Sequence, residues 1–403
     1  MSESYSQAYI VDGVRTASGR RNGSLSQVHP VDLGAAVVDE LLDRIRIPGD
    51  VIDDVIFGCV SQMGAQANNI ARNVVLASRL PLEVPGVTVD RQCGSSLQAI
   101  QFGAQAVMSG TQDLIICGGV EVMSLLPLGS TVSDVQSLGR GAPRGERIDE
   151  RYPGVEFSQF IGAELLAKKY HLSRLEMEKF AVLSHQRAAK AIQNGFFDQE
   201  IVPVEVLSGA VGDEGSRVFN VDEGVRFDAS LSAMQSLSPL QEGGLITAAT
   251  ASQISDGAAA VLIANQRAVA RYDLPVRARI HTMTVTGSDP ELMLEGPIPA
   301  TERLLDRAGI TLDDIDLYEV NEAFASVPLA WVKAMDADIR RLNVNGGAIA
   351  LGHPLGATGA KLMTTLLSTL ERRELRLGLL VICEGGGTAN ACLIERLELP
   401  LDL

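Results

Sequence analysis

Residues 51–60, VIDDVIFGCV, have a counterpart at residues 311–320, TLDDIDLYEV. A second pair matches in the same order, because DLIICGG at 113–119 corresponds to GLLVICEGGG at 378–387. A repeat of this length is too long for a solenoid unit, so it predicts two copies of one α/β domain. Apolar, β-branched runs, among them LNVNGG at 342–347, alternate with helical runs around both copies. This alternation is typical of βαβ units on largely parallel sheets.

The spacing within the two copies aligns two reactive side chains. Cys93 follows Asp54 by 39 residues, and His353 follows Asp314 by the same 39 residues. A cleft between the two copies would therefore bring the segments around Cys93 and His353 together.

The middle of the chain differs from both copies. Residues 127–155 are rich in Gly, Pro, Ser and charge, which predicts an extended excursion, whereas 158–196 has the 3.6-residue periodicity of helices. We therefore expect an inserted loop domain that carries substrate contacts. The predicted division is 1–125 with 252–278 for the N-terminal half, 126–251 for the loop domain and 279–403 for the C-terminal half.

Composition limits the partners of the protein. The chain has 403 residues, 46% of them hydrophobic, and a formal net charge of −16, which argues against nucleic acid or an anionic membrane as a main partner. A phosphate-bearing small molecule is still compatible with local basic clusters. Five cysteines and an N-terminal stretch without the basic and apolar regions of a secretion signal predict reduced thiols and a cytoplasmic location.

Cys93 lies in VDRQCGSSLQAI, residues 89–100, between a β-branched run and a helical run. A helix that begins near Gly94 would direct unpaired N–H groups and a positive dipole end at the thiol, which lowers a thiol pKa. A buried structural thiol is the alternative interpretation.

Three further segments place reactive groups at strand or loop ends. His353 lies in the glycine-rich loop NVNGGAIALGHPLGATGA, and Cys383 ends an apolar strand before three glycines. Asn321 and Glu322 follow another strand, where open α/β sheets bind ligands. For each position a packing or capping role is the alternative. Cys59, Cys117 and Cys392 lie within apolar strands, and for them packing is the favoured role.

Together, these segments resemble the thiolase family over essentially the whole chain. RQCGSSLQAI, TAATASQISDGAAAV, NEAFA, NGGAIALGHPLGATGA and CEGGGTANA match its signatures in order. The resemblance implies two βαβαβαββ halves packed as a five-layered αβαβα core, with a loop domain inserted in the first half.

The resemblance also implies a role for each matched residue. Cys93 would be the acyl-accepting nucleophile, His353 its base and Cys383 the second acid/base. Asn321, through a water, and His353 would form one oxyanion hole, and the backbone N–H groups of Cys93 and Gly385 the other. The expected reaction is cleavage of a 3-ketoacyl-CoA by coenzyme A, or the reverse condensation. No metal site is predicted.

Coenzyme A would act as a substrate, with no permanently bound cofactor. The matching positions for it are Arg226, whose guanidinium suits a phosphate and an adenine ring, and Ser252. Acyl-CoA and CoA are thus the expected partners, and the resemblance also implies a homodimer or homotetramer.

Two departures from the family pattern concern the substrate. Ala389 stands where the last signature usually has a glycine, and Gln159-Phe160 stand where many members have Met-Gly ahead of the Ala-Glu of the loop helix. The segments CGSS and CEGGGTAN together resemble those of bacterial thiolases that degrade steroids or other bulky acyl-CoAs. Both features leave the acyl preference open between short, long and bulky chains.

Three other functions remain to be weighed. A ketoacyl synthase shares the fold and the cysteine but would normally have a second histidine at Asn321 and no Cys383. A non-catalytic scaffold would have lost a catalytic residue, and here none is lost. A biosynthetic, acetoacetyl-CoA-forming acetyltransferase has the same catalytic set, so the sequence leaves it as the main alternative.

Overall fold

The computed structural model describes residues 7–207 and 215–397 of the chain. The strands of the N-terminal half are β1 (Tyr9–Thr16), β2 (Gly19–Arg20), β3 (Asp54–Gly58), β4 (Gly86–Val89), β5 (Leu114–Val122) and, after the inserted segment, β9 (Ser255–Ala264). Its helices are α1 (Pro30–Ile45), α2 (Ile70–Ala77), α3 (Ser95–Ser109) and α9 (Gln266–Tyr272).

The inserted segment contains more helix than strand. Its helices are α4 (Ser130–Ser137), α5 (Glu146–Arg151), α6 (Gln159–Lys169), α7 (Arg174–Gln193) and α8 (Leu231–Gln235), and its strands are β6 (Ile201–Val202), β7 (Val204–Leu207) and β8 (Ser216–Phe219). The stretch 127–155, expected to be extended, thus contains α4 and α5. Both are short and largely exposed, so their polar composition hid them from the periodicity analysis.

The C-terminal half repeats the pattern of the N-terminal half. Its strands are β10 (Ala278–Gly287), β11 (Leu317–Val320), β12 (Leu377–Glu384) and β13 (Thr388–Arg396), and its helices are α10 (Pro297–Ala308), α11 (Ser326–Met335), α12 (Ala348–Leu351) and α13 (Thr358–Arg372). Short 3₁₀ turns occupy 49–51, 64–66, 248–250, 312–314 and 355–357.

The strands of both halves join into one hydrogen-bonded sheet. Its order is β11-β12-β13-β10-β1-β9-β5-β3-β4, with β3 parallel to both β4 and β5, β11 parallel to β12, and the remaining pairs along this order antiparallel. The two halves meet where β1 pairs with β10 over two residue pairs, Tyr9 with Arg279 and Ile10 with Ala278. This narrow junction lets the half-sheets turn toward each other.

Helices α3 and α13 lie between the half-sheets. α3 packs on β3, β5 and β9 and reaches β13, while α13 contacts β1, β9 and β12, and the two helices pack on one another. α1 covers the outer face of the first half-sheet and α10 that of the second. Apolar side chains of both half-sheets and both central helices form one buried cluster. The predicted five-layered αβαβα core is confirmed.

One predicted strand is largely replaced by side-chain hydrogen bonds. The run at 342–347 forms only isolated bridges, because Asn343 adopts a left-handed φ of 43°. Its side-chain amide replaces the backbone hydrogen bonds of a strand: Oδ1 accepts from the Val320 N–H and Nδ2 donates to the Val320 carbonyl, both at 2.9 Å. The carboxyl end of β11, which leads into Asn321, is therefore held by one side chain.

We expect Asn343→Gly to lower the free energy of unfolding by about 3 kcal/mol, because it leaves a buried N–H and a buried C=O of Val320 unpaired. Glycine tolerates the positive φ, so backbone strain does not contribute. Urea denaturation measures the change. The matched control is Asn194→Gly, at an exposed helix end, which should cost less than about 0.5 kcal/mol. Equal losses in the two variants would contradict this account.

Candidate active site

A tight turn places Cys93 immediately before α3. Ser95 closes the turn, since its Oγ accepts from the Arg91 N–H at 2.9 Å and donates to the Gln92 carbonyl at 2.6 Å. Gln92 has a left-handed φ of 48°, a conformation that costs energy and clusters at functional sites. Gly94 is the N-cap residue of α3, and Cys93 is 8% exposed, so the thiol is buried but still reachable.

The hydrogen bonds of His353 determine its tautomer. Its Nδ1 lies 2.6 Å from the Thr358 Oγ1, and the Thr358 hydroxyl donates its one proton to the Pro354 carbonyl at 2.8 Å. Nδ1 must therefore carry the proton in this pair, which leaves Nε2 unprotonated, as a hydrogen-bond and proton acceptor. The unprotonated Nε2 is the atom of His353 that can accept a proton from Cys93.

Asn321 lies on the free side of the imidazole. Its Nδ2 is 3.4 Å from His353 Nε2, and its Oδ1 is buried without a hydrogen-bond partner. A buried acceptor of this kind requires a donor from a water or a substrate. This is the arrangement expected of a water-assisted oxyanion hole.

Cys383 and Gly385 reach the same place from the end of β12. The Gly385 N–H and the Cys93 N–H both interact with the Cys93 sulfur, and Cys93 is close enough to Cys383 to raise the pKa of the Cys383 thiol. Both thiols are at most 8% exposed. The structure thus shows two groups of predicted site residues, Cys93 with Cys383 and Gly385, and Asn321 with His353.

The electrostatics of this cluster differ from the sequence prediction. Burial, followed by the nearby Glu384 carboxyl, raises the pKa of Cys93 to about 12, although the two N–H groups act in the opposite direction. Burial and the neighbouring Lys361 lower the pKa of His353 to about 3. The prediction of a lowered thiol pKa was wrong, because desolvation outweighs the helix end. Near neutral pH the pair is a thiol and a neutral imidazole.

Two adjoining cavities lead away from the cluster. A cavity of about 200 Å³ is lined by His353, Ser252, Gln159 and Phe160, and most of its other lining residues are apolar. A second, of about 350 Å³, contains Arg226 together with His185 and Asp228. Ala248 and Gln253 line both, so the cavities are neighbours. Arg226 thus lies away from the catalytic cluster, whereas Ser252 faces the same cavity as His353.

Phe160 and Gln159 start α6 at the wall of the smaller cavity. Phe160 packs edge-to-face on Phe324, with ring centroids 5.6 Å apart, and is 39% exposed. Both residues therefore line the cavity that also contains His353.

Sequence reasoning missed several residues at the site. Thr358 orients the imidazole, and Lys361 donates to the carbonyls of Leu351 and Gly352 just before it. Glu384 lies beside both thiols. Thr358 and Lys361 stand in or next to the quoted histidine motif and could have been noticed, but their partners are visible only in three dimensions.

Comparisons with known proteins agree with this geometry. The thiolase N-terminal domain model matches residues 8–267 and the thiolase C-terminal domain model matches residues 274–396. The chain is 55% identical to the steroid 3-ketoacyl-CoA thiolase FadA6 of Mycobacterium tuberculosis, over 97% of this chain and 94% of that protein. It is 41% identical to the 3-ketoacyl-CoA thiolase of Bacillus subtilis, over 96% and 99%.

Solved structures give the same result. The crystal structure of the Bacillus anthracis acetyl-CoA acetyltransferase aligns with a TM-score of 0.89 at 35% identity, covering 98% of this chain and 100% of that one. Human mitochondrial 3-ketoacyl-CoA thiolase aligns with a TM-score of 0.88 at 36% identity, with the same coverage. The chain belongs to the thiolase family, and it is an acyltransferase of that class.

We expect Thr358→Val to slow acyl transfer by about 10- to 100-fold, the range for losing a group that orients a reacting imidazole. Without the hydroxyl, Nδ1–H loses its acceptor and the Nε2–H tautomer, which cannot accept the thiol proton, gains population. Thr364→Val is the matched control, because that hydroxyl also donates to a carbonyl four residues back in α13, at 2.9 Å. Single-turnover acylation measures both variants, and equal slowing would contradict the tautomer assignment.

Proposed function

We propose that the protein cleaves 3-ketoacyl-CoA with coenzyme A through an acyl-Cys93 intermediate. The observation that carries the proposal is the meeting of Cys93, Cys383 and the Gly385 N–H, and a neutral His353 that contacts Asn321 supplies the base. A soft nucleophile, a base and a second acid are the groups that carbon–carbon cleavage of a 3-ketoacyl thioester requires.

In the first half-reaction, His353 Nε2 takes the Cys93 proton as the sulfur attacks the C3 ketone. The resulting oxyanion accepts from the backbone N–H groups of Cys93 and Gly385. The C2–C3 bond then breaks and leaves an acyl group on Cys93 and an acetyl-CoA enolate. The enolate oxygen is stabilised by the protonated His353 and by a water on Asn321, and C2 takes a proton from the Cys383 thiol.

In the second half-reaction, the Cys383 thiolate takes the proton of the incoming coenzyme A thiol. The CoA sulfur attacks the acyl carbonyl, and the shortened acyl-CoA leaves as the Cys93 sulfur recovers its proton from His353. Both proton acceptors return to their initial states, so no permanent cofactor is needed. Coenzyme A enters and leaves as a substrate.

The two adjoining cavities support a path for coenzyme A. We assign the nucleotide end to the cavity of Arg226 and the pantetheine arm to that of Ser252, because only the latter includes His353. Asp228 in the Arg226 cavity is a carboxylate, so the phosphates would bind toward the guanidinium. This placement supports 126–251 as the substrate-binding insertion between the 1–125/252–278 half and the 279–403 half.

The cavity next to His353 supports a bulky acyl group as the substrate. Its lining is mostly apolar and aromatic, and Phe160 offers a large surface for packing against an acyl body. The relative with 55% identity is named a steroid 3-ketoacyl-CoA thiolase, which agrees with a ring-bearing substrate.

Location and assembly complete the proposal. No helix in the described residues has the length and apolar character needed to cross a membrane, and we propose a cytoplasmic protein. The β4 strand is a sheet edge with Val87 44% exposed. Such an edge favours pairing with another chain, which supports a homodimer or homotetramer.

We expect Cys93→Ser to abolish thiolysis of a panel of 3-ketoacyl-CoAs, because the imidazole is too weak a base to ionise a serine hydroxyl.

Cys383→Ser should keep part of the acyl transfer onto Cys93 while condensation falls by ~10² or more, the range for a general acid/base. Stopped-flow assays of each half-reaction separate the two effects. Cys392→Ala, which changes a buried thiol elsewhere in the core, is the control. Undiminished condensation in Cys383→Ser, or complete loss of the acyl group on Cys93, would contradict the assigned roles.

The pocket proposal is tested by the double variant Gln159→Met, Phe160→Gly. The wild type should prefer medium, branched or ring-bearing 3-ketoacyl-CoAs over acetoacetyl-CoA, and the variant should shift toward the short substrate because the phenyl surface is gone. The measurement is the ratio of kcat/KM for a bulky and a short substrate. Phe102→Ala, a half-exposed phenyl on α3 outside the cavity, is the control. A wild type that prefers acetoacetyl-CoA would instead favour the acetoacetyl-CoA-forming alternative.

A further inference from the structure

Glu384 is a buried carboxyl between two residues of the proposed site, Cys383 and Gly385. It is 0% exposed, and no ion-pair partner lies within 4.0 Å of it among the described residues. Its Oε2 accepts from the Thr388 hydroxyl at 2.6 Å, whereas its Oε1 is buried and has no partner. A carboxylate oxygen left unpaired in this position would be costly.

A second unpartnered oxygen lies next to it. Asn390 Nδ2 donates to the Gly94 carbonyl at 3.0 Å, which fixes the orientation of the amide and turns Oδ1 away from that carbonyl. Asn390 Oδ1 is also buried without a partner. A side chain on Gly94 would overlap Glu384 Oε1 and lie 2.8 Å from Asn390 Oδ1, so both oxygens occupy one small space behind Cys93.

One proton on Glu384 would satisfy both oxygens. We propose that Glu384 is protonated in the working enzyme, donates from Oε1 to Asn390 Oδ1, and thereby acts as a positioning residue for the Cys93–Gly94 peptide. The chain of hydrogen bonds then runs from the Thr388 hydroxyl through Glu384 and Asn390 to the Gly94 carbonyl. This inference rests on the proposed thiolase function for its effect on turnover but not for its geometry.

The surroundings of Glu384 agree with a neutral acid. Burial raises its pKa to about 8, while the Thr388 hydroxyl and Arg91 favour the carboxylate and Asp90 disfavours it. The thiols of Cys93 and Cys383 are the other titratable groups that face it, and a charge on Glu384 raises the pKa of each. The acid form therefore holds below about pH 8, and the carboxylate appears above it.

Loss of this proton has two consequences for the site. Two acceptors then face each other with no proton between them, so the Gly94 peptide loses its support. A negative charge also stands beside the sulfur of Cys93 and the N–H groups that would hold an oxyanion, and it opposes every anionic state formed there. Ionised Glu384 should therefore inhibit the enzyme.

The test compares wild type with Glu384→Gln between pH 6 and 10. Wild-type kcat should fall above pH 8, and the variant, whose amide is a neutral donor, should keep its activity there. Iodoacetamide alkylation of Cys93 at pH 9 should be about tenfold faster in the variant, since one unit of thiol pKa is a factor of ten. Glu395→Gln, a glutamate of β13 paired with Arg279, should behave as wild type.

Thr388→Val is a second, milder variant in case Glu384→Gln fails to fold. It removes a hydrogen bond that favours the carboxylate, so the fall in kcat should move to higher pH. The same alkaline fall in wild type, Glu384→Gln and Thr388→Val, with equal alkylation rates, would overturn the proposal. Alkylation needs no substrate, so an enzyme without thiolase turnover would contradict the proposed function and still leave Glu384 tested.

Discussion

The site depends on the contact between the N-terminal ends of α3 and α13. Ser96 Oγ accepts from the Ala360 N–H at 3.0 Å, and a side chain on Gly359 would overlap the backbone of Leu97. This approach is possible because both helices lie between the half-sheets, which leaves their ends in backbone contact. Cys93 precedes one helix and His353 the other, so this contact relates the positions of the proposed nucleophile and its proposed base.

Burial determines the chemistry that follows from this contact. Desolvation is the first cause of the raised pKa of Cys93 and the lowered pKa of His353, so the resting groups are neutral. In the proposed mechanism, charge forms only during the reaction, where the N–H groups of Cys93 and Gly385 would stabilise it more strongly in a low-dielectric environment than in water. This explains how a helix N-terminus can serve catalysis without holding a thiolate in the resting enzyme.

The sequence predicted the layered core, because the patterns of its strands and helices are local. The internal repeat also predicts that Cys93 and His353 share a cleft, and this remains a prediction. The thiol pKa was mispredicted, since the dipole of α3 is a local feature and the depth of burial is not. Glu384 was missed because its surroundings include Gly94, which is distant in the chain, and because the turn that brings Asn390 back to it is visible only in three dimensions. The prediction of a strand at 342–347 was wrong because the Asn343 side chain makes the hydrogen bonds to Val320 that the backbone of a strand would make.

The central claim is that Cys93 carries the acyl group. The direct measurement is mass spectrometry of peptides after incubation with acetyl-CoA or a 3-ketoacyl-CoA and an acid quench. The account predicts an acyl adduct on the Cys93 peptide that is absent in Cys93→Ser and retained in Cys383→Ser. An adduct confined to Cys383 would contradict it.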